Sequence, residues 1–122
     1  MDSPIRFKRV DHIHIAVAPE RLEEAKGFYT EIIGLELIDR PNHLFTTKGY
    51  WFNIGDVQLH IGVEAVLPVS TRHTAFEVED VDAAFKYLSG RVQLLEEPII
   101  PGRSRFAFLD PFGNRIELLQ IL

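Results

Sequence analysis

His12, His73 and Glu117 are the residues of this chain with the clearest capacity for chemistry. Each sits on a strand-like stretch whose alternate positions are apolar. Two imidazole nitrogens and one carboxylate oxygen suit a divalent ion such as Zn, Ni, Mn, Fe or Co, and three ligands leave positions for water and substrate. An ionised carboxylate among Ile116, Leu118 and Leu119 is costly unless it is paired, hydrogen-bonded or bound to metal. Metal binding by the triad would remove that cost for Glu117. Other uses of the same residues stay open. A single histidine on a half-buried strand is more often structural, and His14 could hydrogen-bond across a sheet. His12-x-His14 could also supply two ligands from one strand. Glu117 could pair with Arg115 on its own strand or with Arg105 on the neighbouring one.

The elements that must position these groups follow from periodicity. Val10–Val17 alternates as a strand, with Ile13, Ile15 and Val17 on one face and His12, His14 and Ala16 on the other. Pro19 opens a helix whose stripe is Leu22, Ala25, Tyr29, Ile32 and Ile33, and Gly34 ends it. Strands are expected at Leu35–Arg40, weakly at Phe45–Thr47, at Tyr50–Ile54 and, after the Gly55-Asp56 turn, at Val57–Val63. Glu64–Arg72 reads as a linker. The pattern then restarts with a strand at His73–Val78. Asp80 is a helix N-cap before the stripe Val81, Ala84, Phe85 and Leu88. A strand at Arg91–Glu96 and a loop at Pro98–Ser104 follow. Last comes a hairpin through Asp110-Pro111-Phe112-Gly113, where Asp, Pro and Gly stand at the positions a tight turn prefers.

The two halves repeat. Aligning His12-Ile13-His14-Ile15-Ala16-Val17 on His73-Thr74-Ala75-Phe76-Glu77-Val78 places His12 on His73, and Gly55 falls near Gly113. An α+β fold of two βαβββ modules is expected, about residues 8–64 and 71–122 of a single domain, with a mixed sheet rolled around a central cleft. The formal net charge of −5 argues against nucleic acid or an anionic membrane surface as partner. No cysteine is present, which rules out disulfides, thiolate nucleophiles and zinc fingers. No run is apolar enough for a membrane span or a signal-peptide core, so a cytoplasmic location is expected.

Asp11 through Val17, Phe28-Tyr29 with Gly34-Leu35, His73-Thr74-Ala75-Phe76, and Phe108 through Leu118 together resemble the vicinal-oxygen-chelate superfamily. That is the glyoxalase, bleomycin resistance protein and extradiol dioxygenase group. The resemblance runs from about Val10 to Ile121, and its last segment is the most specific. It implies that His12, His73 and Glu117 bind a divalent metal. Glyoxalase I adds a glutamate on the strand closing the first module, but that strand here reads Val57-Gln58-Leu59-His60-Ile61. His60 is therefore the candidate for a fourth ligand or a base, and Gln58 shares its face. The fosfomycin-modifying branch carries a tyrosine where Ala107 stands. Members with two modules usually dimerise, which implies that His12 and His60 come from one subunit and His73 and Glu117 from the other.

The chemistry implied is bidentate chelation of a small oxygenated substrate by the metal, with Glu117 and His60 closest to the reaction. A glyoxalase-like lyase or isomerase is the expected class, and a protein that binds a drug or metabolite without chemistry is the alternative. Arg103 and Arg105 could hold an anionic substrate group, or they could be solvated hairpin charges. Gln58 and His14 could contact the substrate. Phe45, Tyr50, Trp51 and Phe52 are aromatic material for a pocket wall or for the core.

Overall fold

The structure, a computed structural model, describes residues 4–65 and 70–122. Strands β1 (His12–Val17), β2 (Glu36–Ile38), β3 (Tyr50–Ile54) and β4 (Val57–Val63) belong to the first module, and β5 (His73–Glu77), β6 (Gln93–Leu95), β7 (Arg103–Leu109) and β8 (Arg115–Ile121) to the second. Helix α1 (Leu22–Gly27) follows a 3₁₀ turn at Pro19–Arg21 and runs into a π turn at Phe28–Ile32. Helix α2 (Val81–Leu88) is its counterpart. Among the described residues no helix is long and apolar enough to cross a membrane.

Each module forms a four-stranded sheet, in the orders β1-β4-β3-β2 and β5-β8-β7-β6. The first and last strands of each module pair in parallel and the remaining neighbours are antiparallel. The α+β fold of two βαβββ modules is thus observed, but the eight strands make two separate sheets instead of one continuous roll. β1 and β5, the strands that carry His12 and His73, are both sheet edges.

The strand expected at Phe45–Thr47 does not form. A 3₁₀ turn at Asn42–Leu44 takes the chain into a loop that Arg40 closes. The Arg40 guanidinium donates to Asn42 Oδ1 at 2.5 Å and to the Thr47 carbonyl at 3.1 Å, and lies 4.3 Å from the Phe45 ring centre. With no strand beside it, that segment has no ladder to join. β2 and β6 are likewise shorter than the strands expected at Leu35–Arg40 and Arg91–Glu96. The expected linker at Glu64–Arg72 falls partly outside the described residues.

One core serves both modules. Val17, Tyr29, Phe52, Leu59, Ile61 and Phe108 are its most deeply buried side chains. Burying each stabilises the fold by roughly 1.5–3 kcal/mol. Asp80 caps α2 as expected, accepting from the Ala83 amide at 3.0 Å. The Asp110 turn ties the modules together. Its carboxylate accepts from the amides of Phe112 at 2.9 Å and Asn114 at 2.8 Å, from Asn114 Nδ2 at 3.0 Å, and from the Tyr29 hydroxyl at 2.7 Å. Burial beside that carboxylate pushes the Tyr29 hydroxyl well above its ordinary pKa. Asn114 Nδ2 also donates to the Ala16 carbonyl at 3.0 Å, which brings β1 against the turn. Gly113 closes the turn at φ 93°, a conformation a side chain would strain.

Candidate metal centre

Strand register decides which of the candidate side chains share a face. In the parallel β1–β4 pair, His12 stands opposite Gln58 and His14 opposite His60. In the antiparallel β3–β4 pair, Trp51 stands opposite His60. Alternation then puts these five on one face of the first sheet, and Ile13, Ile15, Leu59 and Ile61 on the other. On the polar face three rings stack. Trp51 lies 4.1 Å from His60 at an interplanar angle of 5°, and His60 lies 4.1 Å from His12 at 14°. His14 Nε2 lies over Gly62, where an added Cβ would come within 2.5 Å of it. Gly62→Ala is therefore expected to displace His14. A shift of the His14 ring resonances without loss of the fold would show this, and unchanged resonances would refute it.

Burial between its neighbours, and then the His12 ring, push the His60 pKa down to about 4. His60 is thus neutral near pH 7. Its Nε2 lies 2.9 Å from Gln58 Oε1, an acceptor, so Nε2 carries the proton and Nδ1 keeps the lone pair. His12 has the opposite tautomer. Its Nδ1 donates to the Asp11 carboxylate at 3.0 Å, which leaves Nε2 free.

The second sheet carries the other half. Ala75 stands opposite Glu117 and His73 opposite Arg115 on the β5–β8 pair. Glu117 is buried, and its Oε1 lies 3.4 Å from His73 Nε2 and 3.2 Å from Arg105 Nη1. His73 Nδ1 donates to the Thr71 carbonyl at 2.9 Å, so in the neutral ring Nε2 bears a lone pair facing Glu117. Two lone-pair atoms at 3.4 Å repel unless a proton or a metal cation lies between them. That spacing is also the edge of a tetrahedron whose metal–ligand bonds are about 2.1 Å. The donor set therefore fits a divalent ion. Of the two possible arginine partners of Glu117, the structure selects Arg105. Arg115 pairs instead with Glu97, at 2.5 Å.

The three candidate ligands, His12, His73 and Glu117, do not converge within one chain. Among the described residues no group of three or more His, Cys, Asp or Glu could hold an ion. His12 lies with His60 on one sheet and His73 with Glu117 on the other, because β1 and β5 edge separate sheets. Arg103 is exposed on the sheet that carries Glu117. The sequence gives Asp11 and Glu97 no role in the site, and offers Trp51 only as pocket wall or core. The alternation of β3 against β4 could have found Trp51. Glu97 lies in a loop, and no local pattern signals its partners. Phe52 belongs to the core, and Phe45 packs edge-on against Trp51.

Between the modules lies an apolar cavity of about 340 Å³, lined in part by Ile13, Ile15, Phe76 and Leu118. These residues face away from the histidine-bearing faces.

Comparison with known proteins places these features in context. Residues 9–118 match the family described as the Glyoxalase/Bleomycin resistance protein/Dioxygenase superfamily. A crystal structure from Bacillus anthracis, described as a glyoxalase family protein, is 34% identical with a TM-score of 0.88, over 98% of this chain and 100% of that one. Lactoylglutathione lyase from Agrobacterium tumefaciens is 18% identical with a TM-score of 0.73, over 97% and 96% of the two chains. A variant of the fosfomycin resistance protein FosX from Listeria monocytogenes, complexed with Mn(II) and 1S,2S-dihydroxypropylphosphonic acid, is 20% identical with a TM-score of 0.79, over 96% and 95%. Among curated proteins no significant match is found.

Proposed function

The chain belongs to the glyoxalase/bleomycin resistance protein/dioxygenase superfamily, and from that premise we propose that it is a metal-dependent, glyoxalase-like lyase or isomerase acting on a small oxygenated metabolite. The observation that carries this reading is the set of pre-set tautomers. His12 and His73 each spend Nδ1–H on an oxygen of the chain, Asp11 and Thr71, and keep Nε2 for a ligand bond. Metal-binding histidines are held in this way, with the second nitrogen donating to a carboxylate or carbonyl.

His12 and His60 of one subunit would complete the site with His73 and Glu117 of the partner subunit. A homodimer supplies two such sites by symmetry. The metal would polarise two neighbouring substrate oxygens and stabilise the negative charge that develops on them. The chain's own groups orient and exchange protons. Gln58 holds the proton of His60 on Nε2 and leaves the Nδ1 lone pair for a ligand bond. A pKa near 4 makes His60 a better ligand than base, since a base works best near the ambient pH. Glu117 is then the remaining candidate for proton transfer. Gln58, His14 and Arg103 would contact the substrate.

The test is complementation. Neither His12→Ala nor Glu117→Ala should bind metal as a homodimer. A mixed dimer of the two, purified through different tags, should carry about half the wild-type metal, because one of its two sites is intact. No recovery in the mixed dimer would refute a shared site. The alternative reading, a non-catalytic small-molecule binder, is favoured by the intermodule cavity of about 340 Å³, within the usual size range for ligand pockets. It requires ligand affinity that survives chelation of the metal.

A further inference from the structure

We propose that Arg105 is a gate on the Glu117 half of the site: it occupies the carboxylate when no cation is bound and moves to Glu97 when one is. The proposal rests on the metal-site reading above. Its basis is an oxygen with two claimants. Glu117 Oε1 is the atom facing His73 Nε2 at 3.4 Å, and it also takes Arg105 Nη1 at 3.2 Å. A divalent cation and a guanidinium cannot both approach one carboxylate oxygen closely without strong repulsion where solvent is scarce. Solvent is scarce here, since the side chains of Glu117, Glu97 and Arg105 are 7%, 12% and 13% exposed.

The same guanidinium already has a second acceptor. Arg105 Nη1 is 3.7 Å from Glu97 Oε2, while its Nη2 is anchored to the Pro98 carbonyl at 2.9 Å. A short pivot about that anchor transfers Nη1 from one carboxylate to the other. Arg105 Nε is buried without a hydrogen-bond partner, so the present arrangement does not saturate the fork. Arg115 holds the far oxygen of Glu97 at 2.5 Å and keeps that carboxylate in place. Two arginines and two glutamates balance while the site is empty of cations, and Glu97 is the group that lets Arg105 leave.

Mn²⁺ titration of metal-free protein, read as the loss of the free-ion EPR signal and as the Mn²⁺-induced rise in Tm, tests the gate. Arg105→Gln is expected to bind Mn²⁺ about tenfold more tightly and Glu97→Gln about tenfold more weakly, ordinary sizes for coupled neighbouring charges. The Glu97→Gln effect is expected to vanish in the Arg105→Gln background. Arg105→Lys, which keeps the charge, is expected to stay near wild type. If wild type binds Mn²⁺ and Glu117→Ala does not, yet Arg105→Gln binds equally or more weakly, Arg105 only orients Glu117 and the gate is wrong. If wild type and Arg105→Gln both fail to bind Mn²⁺, the metal-site reading falls and the gate with it.

Discussion

Glu117→Ala is expected to strip the protein of divalent metal. Wild type purified without added metal or chelator is expected to hold close to one ion per chain by elemental mass spectrometry. Glu117 is the carboxylate of the proposed set, and its Oε1 faces the free nitrogen of His73 at 3.4 Å. Losing one ligand of three or four takes most of the affinity with it. The substitution also leaves Arg105 without its shorter ion pair, and an uncompensated buried group costs about 1–3 kcal/mol. Glu97 and the Pro98 carbonyl retain the guanidinium, so the fold should survive. Glu117→Gln separates the effects, since it keeps the shape and a hydrogen-bond acceptor but removes the charge. It should lose metal, with little change from the Tm of metal-free wild type. A wild type that is empty and takes up no added divalent ion would remove the basis of the metalloenzyme reading.

Asp110→Ala is expected to be the most destabilising single substitution considered. Asp110 is buried and its carboxylate accepts from four donors, including the Tyr29 hydroxyl from the other module. Alanine leaves the buried Tyr29 hydroxyl and Phe112 amide, and the half-buried Asn114 amide, without this acceptor. Breaking such a buried network costs about 3–5 kcal/mol. In a chain of this size that lowers Tm by roughly 10–20 °C. Tyr29→Phe removes one donor and leaves the Asp110 turn satisfied, so a loss of about 1–2 kcal/mol is expected. Denaturant melts of both variants measure the difference. An Asp110→Ala loss no larger than that of Tyr29→Phe would mean that the turn, and not the intermodule link, is replaceable.

Much of the site was legible because its cues are local. Period-two alternation put His12, His14 and Ala16 opposite Ile13, Ile15 and Val17, and the register observed for β1 and β4 keeps that division. The Asp110 turn and the Asp80 cap were legible for the same reason, since each is a short-range hydrogen bond from a side chain to nearby amides. Phe45–Thr47 misled because it has strand-like residues and no neighbour to pair with. β-propensity describes fit to a pleated surface, so without a neighbouring strand it decides nothing.

By itself, the sequence determined the element order, the two-fold repeat, the absence of thiol chemistry and the nitrogen and oxygen character of any metal site. These follow from residue type and from spacings of two to four residues along one backbone. Only the tertiary structure decided that His12 meets His60 while His73 meets Glu117, that Arg105 and not Arg115 holds the carboxylate, and that the two pairs of candidate ligands lie on different sheets. Those outcomes depend on which strand edges face one another and on a loop carrying Glu97 to two arginines. Contacts across that separation arise from packing of the whole chain, and no local spacing encodes them.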